Sequence, residues 1–110
     1  MPDHVATVYD RVENATECRR RMYDRRDNRF VERDAWCFFT TYTDDLTKTV
    51  EIKVNRTDFP QLSQAQAHAE FYALHVGKLP KLLRRDVDEV IIHDGPEAFG
   101  GGNRGLLIHV

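Results

Sequence analysis

The sequence predicts an α+β domain: an antiparallel β-meander, then a helix with a short helical turn, then two further strands, all in one mixed sheet with helical cover. Three observations predict it. Aromatic and β-branched residues crowd Ala35 to Thr43, and beyond them Val50, Ile52 and Val54 alternate with Thr49, Glu51 and Lys53. Ala65, Ala69, Tyr72, Ala73 and Val76 then recur at helical spacing. Finally, the apolar runs Val90-Ile91-Ile92 and Leu106-Leu107-Ile108-His109-Val110 flank a polar turn and the glycines Gly100-Gly101-Gly102.

Residues 1–17 show little periodicity, although Val5, Val8, Tyr9 and Val12 fit one face of a short helix or part of an edge strand. Residues 18–57 form β-hairpins. Arg21-Met22-Tyr23 leads through the turn-rich Asp24 to Arg29 into Phe30-Val31. A turn centred on Asp27-Asn28 sets Cys18 opposite Cys37. Large side chains on both faces of Ala35 to Thr43 suit a central strand. With Asp44-Asp45 as a tight turn, Phe39 faces Val50 and Cys37 faces Ile52, apolar against apolar.

Residues 62–85 are helical. Ser63 caps the helix with Gln66 reaching back, Leu62 staples onto Ala67, and small residues on the buried stripe let the helix approach a sheet. Gly77 ends the helix as a C′ residue, and Pro80 opens a short turn carrying Leu79, Leu82 and Leu83. Residues 88–110 are two strands joined by a Gly-rich loop, the first from Glu89 to His93. The whole chain, 1–110, reads as one domain with one modest core.

Composition narrows the function classes. No apolar run reaches the ~20 residues that span a bilayer, and the start, Met-Pro-Asp-His-Val, lacks the basic and apolar regions of a signal peptide. A net charge of −2 gives no global pull towards nucleic acid or a membrane. Locally, Arg19, Arg20, Arg21, Arg25, Arg26, Arg29 and Arg33 crowd one hairpin, but Asp24, Asp27, Glu32 and Asp34 interleave with them, as on a solvated, mutually paired surface.

Two cysteines, Cys18 and Cys37, permit one bridge or none; directly opposed strand residues lie within disulfide reach, and the other reading is two buried thiols. The sequons Asn14-Ala15-Thr16 and Asn55-Arg56-Thr57 make Asn14 and Asn55 candidate N-glycosylation sites. Bridge and sequons together favour an extracellular setting.

Candidate chemistry is sparse. His93, Asp94 and His109 could be imagined as metal ligands, but their spacing fits no ligand motif, and H-E-x-x-H is absent. His68 and His75 flank Phe71 on the helix as surface or boundary residues. The run from Phe99 to Gly105 lacks both G-x-G-x-x-G and the P-loop Lys-Ser/Thr, and it precedes a strand, so both nucleotide readings fail. Ser63 is spent as a cap, and Cys37 lies in an apolar strand unsuited to a low-pKa thiolate. These residues support no catalysis and imply no cofactor.

The segment from Leu79 to Gly95, with Phe99-Gly100-Gly101-Gly102-Asn103 and Leu106-Leu107-Ile108-His109, resembles a group of secreted, zincin-like metallopeptidases. Tyr23-Asp24-Arg25-Arg26 and Val50 to Asn55 are similar to that group's amino-terminal hairpins, so the likeness runs from about Cys18 onward. It implies that helix, strand and Gly-rich loop belong to the half-domain above a catalytic cleft, with the Leu-Ile-His strand flanking bound substrate. In that family the zinc-binding helix follows. No position here matches it, so no zinc ligand or general base is carried over.

The expectation is therefore a non-catalytic, extracellular zincin-like half-domain, such as a truncated gene product or an alternative transcript would give. Its open edge strand, Leu106, Leu107, Ile108 and His109, should pair with a missing segment, a second copy or an extended peptide. The alternative is a complete small binding module whose Arg-rich hairpin recognises an acidic partner. A third expectation is a metal hydrolase assembled from His93, Asp94 and His109.

Overall fold

Alternation of side chains builds a sheet with two different faces. The structure, a computed structural model, describes residues 13–24, 29–94 and 105–109, with side chains described for 16–23 and 29–94. Five strands run β1 (Glu13–Asp24), β2 (Arg29–Tyr42), β3 (Asp45–Asn55), β4 (Glu89–His93) and β5 (Gly105–His109), in the spatial order β1-β2-β3-β4-β5. The first three are antiparallel neighbours, whereas β4 lies parallel to β3 and β5 parallel to β4. Helices α1 (Leu62–Gly77) and α2 (Lys81–Arg84) lie between β3 and β4, as a parallel pair requires of its crossover. The class is α+β, as the sequence predicts.

The main core fills the face beneath α1. Phe38, Val50, Ile52, Val54, Val90 and Ile92 pack there against Ala65, Ala69, Ala73 and Val76. Alanines on that stripe bring the helix backbone close, so the Tyr42 hydroxyl donates directly to the Ala73 carbonyl at 2.7 Å. On the other face, Met22 and Ala35 pack with Ile91, and Cys18 and Phe30 adjoin them. A residue of β1 thus meets one of β4, two strands beyond its own partner β2. The long β1–β2 hairpin curls across β3 and β4, in keeping with the strong twist of two-stranded ribbons.

Both hairpin registers differ from those the turns predict. In the first, Cys18 lies opposite Ala35 and Thr16 opposite Cys37. A slip by two positions keeps every side chain on its own face, so the cysteines become diagonal neighbours. They are joined by a disulfide across a Cα separation of 6.3 Å. The Asp27-Asn28 turn itself lies outside the described residues.

The second register is off by one, which exchanges faces. Phe38 pairs with Ile52 and Thr40 with Val50, while Cys37 faces Lys53 and Phe39 faces Glu51. The cause is at the turn. Tyr42 pairs with Asp45, so the two loop residues are Thr43 and Asp44, and the register then shifts before Thr41 meets Thr49, with Leu46, Thr47 and Lys48 in between.

The helix ends also differ. Gln61 is the N-cap, without a side-chain capping bond, and Ser63 lies inside the first turn. Ala65 N–H donates to the Gln61 carbonyl, so the helix starts before Ser63 and the capping box is not made. Gly77 is the last helical residue and is buried, followed by the right-handed C-cap Lys78. Glycine serves close packing there, since the Arg84 guanidinium reaches the Gly77 carbonyl. In the short turn, Leu79 packs on the core, but Leu82 and Leu83 are exposed and Arg84 is buried in their place.

Candidate functional site

The edge strand is positioned by its register with β4. Val90, Ile91, Ile92 and His93 pair with Leu106, Leu107, Ile108 and His109. Four of the five β4 residues are buried, so β4 is an interior strand, and β5 occupies the sheet's margin. Among the described residues, β4 is the only strand that pairs with β5. The strand spans Gly105–His109, where the sequence predicts residues 106–110; Val110 and the Gly-rich loop at 95–104 lie outside the described residues.

His93, one of the imagined metal ligands, is buried in the face crossed by the hairpin. Its ring packs on Tyr23 with centroids 5.3 Å apart. Nδ1 lies 3.2 Å from the Asp94 carbonyl oxygen, within hydrogen-bond reach. Asp94 is tied by its backbone, its N–H donating to an Asp58 carboxylate oxygen at 3.0 Å. His93 and His109 are register partners, but the side chain of His109 is outside the described set. No group of three or more metal-ligating side chains gathers among the described residues.

The Arg-rich hairpin is engaged internally. Arg19 Nη1 lies 2.9 Å from Asp34, and Arg20 Nε lies 3.1 Å from Glu51 on β3. The Arg21 guanidinium stacks over Phe30, 4.9 Å from the ring centroid. Arg25 and Arg26 lie outside the described residues. Beneath the hairpin sits Lys53, 4% exposed, an alternating position of β3 that reads as solvent-facing in the sequence. Its ammonium donates to the Arg21 carbonyl at 3.1 Å and pairs with Glu89. The curled hairpin is what buries it, a tertiary effect that alternation alone does not carry.

Comparison with known proteins finds no matching family model, no matching curated protein and no matching solved structure. The functional reading therefore rests on the geometry of the chain itself.

Of the sequons, the Asn14 side chain lies outside the described set, whereas Asn55 is 7% exposed. Its side-chain oxygen accepts from the N–H groups of Thr57 at 2.9 Å and Asp58 at 3.3 Å, an Asx turn that closes β3. Asn55→Ala is expected to cost about 1 kcal/mol, because the turn loses its acceptor while neighbouring water can reach Thr57. Urea denaturation at constant m-value measures it; an unchanged midpoint contradicts the assigned role.

Proposed function

We propose that this chain is a non-catalytic, zincin-like half-domain whose edge strand β5 pairs with an extended peptide in an extracellular setting. The observation that carries the reading is the place of β5 at the margin of the sheet, next to the buried strand β4. An edge strand offers alternate N–H and C=O groups to an incoming strand, and main-chain pairing of this kind supplies affinity without a catalytic group. The disulfide supports the oxidising setting.

The acidic-partner reading is weaker, since Arg19, Arg20 and Arg21 already spend their guanidinium groups on Asp34, Glu51 and Phe30. Releasing them costs the complex part of what it gains.

Amide hydrogen exchange tests the proposal. In the chain alone, alternate amides of Gly105–His109 point away from β4 and should exchange fast. A short proline-free peptide enriched from a displayed library should slow those same amides and leave the helix unchanged. An enriched peptide that binds without slowing them, or a library that yields no binder, refutes the reading. Slowing that appears with protein concentration alone assigns the edge to a second copy instead.

A further inference from the structure

The register between β2 and β3 gives Cys37 a neighbour that its own strand does not suggest. The predicted turn sets Ile52 across from it; the structure sets Lys53 there. Directly opposed residues project to the same face, so the sulfur and the lysine stem start side by side, and both are buried. The two sulfurs of the bridge are placed unequally. Cys37 has no accessible surface and lies between β1 and β3. Cys18 is only partly buried and lies on β1, a strand at the margin that is paired with β2 alone among the described residues. A reagent approaching the bridge from solvent therefore meets Cys18.

We propose that the Cys18–Cys37 bridge is a thiol–disulfide exchange site for a low-molecular-weight thiol, with Cys18 as the sulfur attacked and Cys37 as the leaving group. The incoming thiolate forms a new S–S bond to Cys18. The Cys18–Cys37 bond breaks, and its electron pair departs on Cys37. The incoming sulfur is oxidised and Cys37 is reduced, so the electrons balance; attack by the Cys37 thiolate on the mixed disulfide reverses the step. Exchange is faster the more stable the departing thiolate. In a dry, apolar strand Cys37 alone would leave poorly, and Lys53 changes that. Among the described residues its ammonium spends two of three N–H groups, on the Arg21 carbonyl at 3.1 Å and on Glu89. The third is left to turn to the sulfur. Of the other charges on this face, the Glu89 side chain is 36% exposed and hydrated, and Arg20 and Glu51 neutralise each other at 3.1 Å. Lys53 remains the charge set directly across from the departing sulfur.

The site is independent of β5, and its test involves no peptide. The bridged protein is incubated with reduced glutathione, quenched in acid, alkylated with N-ethylmaleimide and mapped by mass spectrometry. Glutathione should be found on Cys18 and the maleimide on Cys37. Glutathione on Cys37, or on both cysteines alike, overturns the proposal. So does a bridge left intact at a glutathione concentration that exchanges free cystine completely. Lys53→Met, which keeps the bridge, should slow its opening by about threefold or more, the change expected when the leaving thiol gains about one pKa unit. A lysine that only fastens the hairpin would act the other way, since its removal loosens the strands and speeds opening. An equal or faster rate in Lys53→Met thus overturns its role in the exchange, and the mapping on the unaltered chain stands as a decision even where that variant does not fold.

Discussion

Phe38→Ala is expected to destabilise the protein by about 4 kcal/mol, the largest effect of any single truncation proposed for this chain. Phe38 has no accessible surface and sits mid-strand in β2, beside Ile52 of β3, which in turn adjoins Val90 of β4. Its ring therefore lies in a row that spans three strands, covered by α1. Removing it forfeits the transfer free energy of the ring and leaves a cavity. The alanines above offer nothing long enough to fill that cavity. A domain of this size has only about 5–15 kcal/mol of total stability, so the variant should unfold far earlier in urea with its m-value intact. A loss below about 1.5 kcal/mol, the range of well-tolerated core swaps, contradicts the row as the centre of the core.

Arg84→Ala follows, at about 3 kcal/mol. The guanidinium is 3% exposed. It donates to the Leu79 carbonyl at 2.8 Å and to Gly77, pairs with Asp44, and stacks over the Tyr42 ring at 4.9 Å. One side chain thereby ties the turn between β2 and β3 to the segment joining the two helices. Truncation leaves two carbonyls and a carboxylate without their cation. Asp44 retains 34% side-chain exposure and can rehydrate, which holds the loss near the lower end for a broken buried pair. Asp44→Ala should also destabilise, and the double variant should lose less than the two single losses together, with a coupling of about 1–3 kcal/mol. Strict additivity in that cycle removes the pair as a stabilising unit.

The class of fold was legible because periodicity is a local property. The stripe Ala65, Ala69, Ala73 and Val76 and the strand Glu89 to His93 each sit where their own residues place them. Register was not legible, since it depends on the turns, and the shift near Thr41 leaves no mark in the alternation of Val50, Ile52 and Val54. The polar residues of the interior were the least legible. From sequence, Lys53 reads as one of the polar residues alternating with Val50, Ile52 and Val54, Asn55 reads as a glycan acceptor, and Arg84 is not singled out within the helical stretch 62–85. Each is buried by an element distant in the chain, or by the turn it organises. The strand β5 was readable from its apolar run, but its place at the margin and its parallel alignment with β4 required the sheet.

The shift that defeated the second register bears on where the turn could change length. Leu46, Thr47 and Lys48 lie between the pair Tyr42–Asp45 and the aligned rows that begin at Thr41–Thr49. A residue gained or lost there falls outside the rows that hold Phe38 on Ile52, but it displaces the bond from Thr47 to Asp45 and the pair of Lys48 with Asp88. Such a change is felt first by the fastenings of the turn and only then by the interior.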